Sequence, residues 1–292
     1  MIPTPTPRTF RTIAFLGVIA AAVALSGCEA ATSAAPAVSS NCTPKDKGLT
    51  TYTPGTLTVG VPENPPYTKT EGTSASGLEI DVVTKLAAAE CLNLAYVPIT
   101  YANGIPMISE QKRTDISTGG WYVTAARAKQ VGYTTPTFYD TMGIVSKKDA
   151  STVSDLQSLG AVGTGTGFSW NEDMTKVLGG NLKQYPGTVE MKQDLMNGRL
   201  QASLDGYAVA VAAYKGTDFK VEPAKKDDRV AITTSQPTIA FPVAKENTVL
   251  SNAFSALIDS YRTDGTLTAL LAKYDLPADL LVPADKAAAS IR

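Results

Sequence analysis

Leu57-Thr58-Val59-Gly60-Val61 opens the patterned part of the chain. Apolar and polar residues alternate through it, the period of a half-buried strand. Behind it, residues 80–91 carry apolar side chains at Ile80, Val83 and Ala87 and again at Val82, Leu86 and Ala89, the period of a helix. Residues 94–99 return to a strand, and Pro106 suits the first turn of a short helix through Gln111. Strand, helix, strand, helix in this order predicts an α/β lobe with a largely parallel sheet.

The pattern then restarts. Residues 144–146 predict a strand and 153–159 a helix. Ala161-Val162 reads as a strand edge running into a glycine-rich turn, Gly163-Thr164-Gly165-Thr166-Gly167. Ser169-Trp170-Asn171-Glu172 reads as a capping box opening the next helix. A helix over 188–197 closed by Gly198, a strand over 202–204 and a helix over 207–214 complete this half. Further on, Leu250, Phe254, Leu257, Ile258 and Tyr261 form one apolar helix face. Gly265 interrupts it, and Leu267, Leu270, Leu271 and Tyr274 continue it in a second helix. No internal repeat is visible.

A length of 292 residues points to about two domains. Apolar residues are 43%, enough for a sizeable core, and charged residues only 18%, so Thr, Ser, Asn and Gln must carry much of the surface. The 26 basic and 27 acidic residues leave a net charge of −1. That argues against nucleic acid as a partner, because phosphate binding needs clustered excess Lys and Arg. The chain has no His. Every Ser-His or Cys-His nucleophile pair and every His-ligated metal site is thereby excluded. Neither a metal nor another cofactor is expected.

The first 27 residues read as an address. Arg8 and Arg11 supply a basic start, and the apolar run 13–25 is shorter than the roughly 20 residues of a spanning helix. It ends in Leu25-Ser26-Gly27-Cys28, which resembles the lipobox of bacterial lipoproteins, where cleavage leaves the Cys as a lipid-bearing N-terminus. An ordinary signal peptide with a chance Cys is the other reading. Acyl chains on Cys28 would hold the protein on the outer face of the cell membrane, anchored and not threaded. Cys42 and Cys91 then remain, an even pair in an oxidising compartment, and a disulfide between them is expected. Two separate thiols, with Cys91 in the core, are the alternative. Residues 28–54, rich in Ala, Ser, Thr and Pro, predict a flexible tether.

One stretch concentrates candidate chemistry. Gly119-Gly120-Trp121-Tyr122-Val123-Thr124-Ala125-Ala126-Arg127 runs from a strand end into a helix start. Thr124 is a good N-cap, which places Arg127 at the third helical position. A guanidinium there sits beside free backbone N–H groups and can grip a carboxylate with two parallel hydrogen bonds. An Arg on a solvated helix face is the plainer reading. The glycine-rich turn 163–167 is a second anion-friendly element, although no Lys-Ser or Lys-Thr follows to make it a phosphate loop. Tyr67, Tyr101, Trp121 and Tyr122 fall on predicted loops and strand ends, where rings stack on a ligand, cover a cation, or simply fill rim and core.

Six blocks in sequence order, spanning roughly residues 55–277, resemble the family-3 extracellular solute-binding proteins of amino-acid ABC importers. They are the opening strand with Pro65-Pro66-Tyr67, the helix start Gly77-Leu78-Glu79-Ile80-Asp81, the block from Asp115-Ile116-Ser117 to Arg127, Thr135-Pro136-Thr137-Phe138-Tyr139, Leu195-Met196-Asn197-Gly198-Arg199, and Asp264-Gly265-Thr266. The resemblance implies an α/β, two-lobed, type II periplasmic-binding-protein-like fold. Lobe 1 would be 55–140 plus 236–277, lobe 2 would be 141–235, with hinges near 136–142 and 230–237 and a C-terminal tail over 278–292. It implies a monomer that closes on a small carboxylate ligand, foremost an amino acid, and presents it to a membrane ABC permease.

Residue by residue, the resemblance puts Arg127 on the ligand α-carboxylate and the backbone of Gly120 and Tyr122 on its α-amino and carboxylate groups. Thr166 and Gly167 would cap the carboxylate from lobe 2, Tyr101 would pack on the ligand, and Trp121 is expected among the ligand-binding residues. The family's acid for the α-ammonium falls, counted from Gly198-Arg199, at Gly206. Asp205 stands one residue earlier, and strand alternation would deliver it to the cleft only through a bulge. Asn64 occupies a place where an aromatic is common. Two other functions fit these blocks: a lipid-anchored ligand sensor, and a cyclohexadienyl-dehydratase-like enzyme with a cleft carboxylic acid as general acid. Glu79 and Asp81 read instead as helix N-terminal charges, so no catalytic residue is expected.

Overall fold

In the computed structural model, which describes Val38 and residues 41–289, the predicted alternation becomes two series of elements. The first runs β1 (Thr56–Val61), a hairpin of β2 (Lys69–Glu71) and β3 (Ser74–Ser76), α1 (Leu78–Ala89), β4 (Asn93–Pro98), α2 (Gly104–Ser109), β5 (Ile116–Ser117), α3 (Ala125–Ala128), β6 (Gly132–Tyr133) and β7 (Phe138–Tyr139). The second runs β8 (Met142–Ser146), α4 (Val153–Leu159), β9 (Val162–Gly165), α5 (Asn171–Leu178), β10 (Leu182–Tyr185), α6 (Thr188–Met196), β11 (Ala202–Gly206), α7 (Tyr207–Tyr214) and β12 (Lys220–Pro223). The chain then returns through β13 (Thr238–Ile239), β14 (Pro242–Val243), α8 (Thr248–Thr263), α9 (Thr266–Lys273) and α10 (Ala284–Ala289).

These strands build two mixed five-stranded sheets, in the orders β4-β1-β5-β14-β6 and β10-β9-β11-β8-β12. Each sheet has two parallel pairings followed by two antiparallel ones. The alternation of β1 explains its place: Leu57 and Val59 are fully buried while Thr56 and Thr58 are only half-buried. Helix α1 turns Val82, Val83 and Leu86 onto the same core. In the second sheet Ile144, Val162 and Leu204 face one core, while Val145 packs with Met191, Leu195 and Tyr214 on the other side. Among the described residues no helix is long and apolar enough to cross a membrane.

The chain crosses between the sheets twice, through residues 134–141 and 224–241. The crossings pair antiparallel as β7 and β13, with Phe138 opposite Ile239 and Tyr139 opposite Thr238. Within the segment 278–292, expected as a tail, residues 281 and 282 are packed against the first crossing. Leu281 bridges to Phe138, and Val282 N donates to Thr137 O at 3.1 Å. The buried Arg262 guanidinium donates to the carbonyls of Val282 and Pro136. Its Nη1 and Nη2 donors bring together backbone segments distant in sequence, which no local pattern foretells.

Residues 41–54, expected as tether, also lie against the first lobe. Cys42 and Cys91 are joined, with their Cα atoms 5.7 Å apart, which closes the alternative of two separate thiols. Tyr52 N donates to Asp115 Oδ1 at 2.7 Å, and Asn247 Nδ2 donates to Thr50 O at 3.0 Å. A low apolar content describes this arm correctly, but a cross-link and a buried carboxylate order it. The expected signal segment 1–27, the lipidation site Cys28 and residues 29–37 lie outside the described residues.

Two local expectations are corrected. Residues 163–165 of the glycine-rich turn belong to strand β9, which begins at Val162 as expected. Gly163 is small because a Cβ there would lie 2.5 Å from Leu200 Cδ1, a packing reason with no ligand in it. The capping box at Ser169 does not form, since α5 begins at Asn171 without a side-chain cap. The start of α5 is held by a buried network: Trp170 Nε1 donates to Thr164 Oγ1 at 2.9 Å, and Asn171 Nδ2 to Gly165 O at 2.8 Å. The capping box in this lobe is Thr152 with Asp155, opening α4.

Candidate functional site

The parallel strands of both sheets end toward one cavity, the usual place for a ligand in open α/β sheets. Its wall includes Asn64 after β1, Tyr101 after β4, Gly120 after β5, Phe168 after β9 and Asp205 in the last turn of β11. Tyr67, Tyr122, Arg127, Asp140, Trp170 and Gly206 complete the wall that matters here.

Arg127 stands where the sequence puts it. Thr124 is the N-cap of α3, and its Oγ1 accepts from Arg127 N at 3.3 Å. Helix α3 is a single turn of four residues, so its dipole adds little and the guanidinium carries the charge. Nη1 donates to Tyr122 O at 3.1 Å, and Nη2 reaches across to Gly167 O, in the other lobe, at 3.0 Å. The guanidinium lies over the Trp121 ring, 4.8 Å from its centroid. Among the described residues Arg127 forms no ion pair, and burial pushes its pKa down from the usual arginine value.

The acidic side is more crowded. Asp205 is buried and lines the cavity without a bulge, because β11 pairs residue by residue with β8 from Ala202 to Gly206. The expected need for a bulge assumed a cleft facing one side of the sheet. The cavity lies across the strand ends instead, so a last-turn residue reaches it from either side. Asp205 Oδ1 accepts from Gly206 N at 2.9 Å. Burial, and then repulsion from Asp140, push its carboxyl up to about 8. Asp140, on the first crossing, accepts from Ala208 N at 3.3 Å at the start of α7, and burial raises it to about 6.

Glu79 takes a role that sequence reasoning missed. It is fully buried, and its Oε2 accepts from Gly119 N at 2.5 Å and from Gly120 N at 3.0 Å. It therefore shapes the loop that leads to Arg127. Burial raises its pKa to about 7. The Gly120 amide, expected on the ligand, is thereby occupied. Gly119 O in turn accepts from Asn64 Nδ2 and from the Tyr101 hydroxyl. Two buried polar atoms here have no partner among the described residues, Asn64 Oδ1 and Glu79 Oε1, while the Tyr67 hydroxyl faces Asp140. Of these Asn64 lines the cavity, and an orphaned polar group in a cavity wall is where a polar ligand would gain most.

Aromatic rings enclose the space. Tyr101 stacks edge-on to Phe168 across the lobes at 5.1 Å, Phe168 to Trp170 at 5.1 Å, and Tyr122 lies 6.0 Å from Trp170. Of the eight ligand residues expected from the sequence, Arg127, Gly120, Tyr122, Tyr101 and Asp205 line the cavity. Trp121 is core beneath the guanidinium, its Nε1 bound to Thr118 O at 2.9 Å. Gly167 meets Arg127 through its carbonyl. It has φ +85°, and a Cβ there would fall 2.7 Å from the Tyr101 backbone, so a glycine lets the lobes approach. Thr166 is outside the wall, and its amide donates to Tyr185 O at 2.8 Å. Gly206, the position the resemblance gives to the acid for the α-ammonium, also lines the cavity, whereas Asp140, Phe168 and Trp170 were not foreseen. The sequence carries no local signal for them, since crossing and loop positions converge only in three dimensions. Among the described residues no group of three or more Cys, Asp and Glu could hold a metal ion.

The sequence profile of the bacterial extracellular solute-binding proteins, family 3, matches residues 57–277. An arginine-binding periplasmic protein of Mannheimia haemolytica is 24% identical over 213 residues, covering 70% of this chain and 84% of that protein. The substrate-binding protein of an amino acid ABC transporter superposes with a TM-score of 0.67 and 25% identity over 75% of this chain and 99% of the other. A cysteine-binding protein of Campylobacter jejuni superposes with a TM-score of 0.69 at 19% identity, over 79% of this chain and 96% of the other. The fold is the two-lobed type II periplasmic-binding architecture.

Proposed function

We propose a ligand and a working cycle for this chain, which belongs to the bacterial extracellular solute-binding proteins of family 3. It captures an amino acid for an ABC importer. Arg127 takes the α-carboxylate and Asp205 the α-ammonium. Tyr101, with Phe168 against it, covers the ligand. Gly120, Tyr122, Trp121 and Gly167 shape the guanidinium's surroundings. Lobe 1 is assigned to 55–140 plus 236–277 and lobe 2 to 141–235, closing about the crossings near 136–142 and 230–237. The protein acts as a monomer, held on the outer face of the cell membrane by lipid on Cys28, and meets a permease there.

The observation that carries this reading is that Arg127 and Asp205, from opposite lobes, line one cavity while Arg127 has no ion-pair partner among the described residues. An amino acid presents the two complementary charges. Each lobe alone holds only one of them, so ligand binding favours the closed form over the open one. The names of the arginine-binding relative and of the ABC-transporter binding protein support the same class.

The test is calorimetry on the ligand-free protein with a panel of amino acids, followed by Arg127→Ala. Losing the partner of a buried carboxylate costs about 3 kcal/mol, so affinity should fall by roughly a hundredfold or more while the far-UV circular dichroism is unchanged. Unchanged affinity in the variant would remove the reading.

A further inference from the structure

We propose that Asp140 is a second cation-recognising group of the cavity, which makes the preferred ligand an amino acid with a second positive charge on its side chain. The inference rests on the amino-acid reading above and deepens it.

The charged residues of the cavity wall are Arg127, Asp140 and Asp205. A zwitterionic amino acid neutralises Arg127 and one carboxylate and leaves the other buried without a counter-charge, a costly arrangement. A ligand carrying one further cation closes the balance. No Lys or Arg pairs with Asp140 or Asp205 among the described residues. The amides of Thr141, Tyr207 and Ala208 and the Tyr122 hydroxyl offset part of the Asp140 charge, but none of them carries a full counter-charge.

The surroundings suit a cation. Gly206 lines the cavity beside Asp140, and a Cβ there would lie 2.8 Å from Asp140 Oδ2. A glycine leaves room beside that oxygen for a ligand group, next to the Tyr67 and Tyr122 hydroxyls that also reach this carboxylate. Asn64 and Tyr67, 5% and 1% exposed, line the same cavity, with Asn64 Oδ1 unpartnered among the described residues and the Tyr67 hydroxyl turned to Asp140. The Asn64 oxygen adds an acceptor for N–H donors. Tyr67, Tyr101, Tyr122, Phe168 and Trp170 add ring faces that attract an organic cation. Asp140 raises Asp205 by repulsion, so a cationic group set between them relieves both.

The test compares pairs of ligands of nearly equal shape and different charge: L-arginine with L-citrulline, and L-ornithine with L-norvaline. In calorimetry on the wild-type protein, at least one cationic member is expected to bind roughly a hundredfold more tightly than its neutral counterpart. Asp140→Asn should collapse that ratio below about tenfold, whereas Asp205→Asn should weaken both members of the pair. If Asp140→Asn fails to fold because α7 loses its cap, Tyr67→Phe is the second variant. It keeps the packing and is expected to lower the ratio several-fold. Neutral members binding as well as cationic ones, or a ratio unchanged in Asp140→Asn, overturns this inference and leaves the amino-acid reading intact. No binding by any amino acid overturns both.

Discussion

The two lobes follow one strand plan and differ in how they are fastened and in what they bring to the cavity. The first sheet carries the disulfide-bound arm, α8 and α9, and the C-terminal segment pinned by Arg262. The second has no cross-link among its described residues. Its ion pairs Lys147–Asp218 and Lys220–Asp149 are exposed on both sides, and such pairs contribute little. The first lobe offers a guanidinium, while the second lobe and the crossing offer carboxylates. The difference teaches that similar topology leaves both stability and charge free to be distributed unevenly. A stiff lobe positions Arg127, and a lighter lobe brings the counter-charge to it.

Removing the staple should break this comparison most strongly. Cys42→Ser with Cys91→Ser opens a link between residues 49 apart in sequence, and loop-closure entropy puts the loss at about 4 kcal/mol. Denaturant unfolding followed by Trp121, in lobe 1, and by Trp170, in lobe 2, would report each lobe when the other Trp is replaced by Phe. Loss confined to the Trp121 signal is expected. An equal shift of both signals would mean that the lobes unfold as one unit and would sink the asymmetry.

A smaller effect is expected at Glu79. Above pH 7, where its carboxyl is ionised, Glu79→Gln replaces a charged acceptor of two amides by a neutral one, at a cost of about 2 kcal/mol. Glu79 does not line the cavity, so weaker ligand binding in this variant would show that it positions the loop before Arg127. Lower stability with unchanged affinity would confine Glu79 to a structural role.

The pH dependence sharpens the acidic half. The Asp205 carboxyl is raised from 3.8 to about 8, and Asp140 from 3.8 to about 6. Between these values the folded protein holds protons that the unfolded chain has released. Its stability is therefore fully present below pH 4 for these groups and is lost as pH rises through the folded pKa values. The melting temperature of the ligand-free protein should fall by several degrees per pH unit as pH rises from 5 to 8, at about 3 °C per kcal/mol. Asp205→Asn should flatten that slope. An amino acid whose ammonium meets Asp205 should release protons on binding at pH 7, read from the dependence of calorimetric enthalpy on buffer. A flat slope in the wild-type protein would contradict the burial argument for both acids.

Much of the fold was legible in the chain. The alternation of 57–61, the helical period of 80–91 and the Thr124 cap are local, and local backbone preference decides them. The misreadings share one cause. Gly163 and Gly165 look like a ligand loop but are small because Leu200 and Phe168 fill their space. Glu79 looks like a helix-end charge, yet its carboxylate turns to Gly119 and Gly120, forty residues away in sequence. Asp205 seemed turned from the cleft because alternation was applied to a sheet face, while the cavity lies across the strand ends.

The sequence by itself determined two α/β halves, an oxidisable cysteine pair, and an arginine held at a helix start, because each follows from periodicity, composition or a cap within a few residues. Only the tertiary structure decided that Asp140 and Asp205 share one cavity with that arginine. Those carboxylates lie on a crossing and on a strand end, and charges far apart along the chain interact only where folding brings them close and removes the water between them.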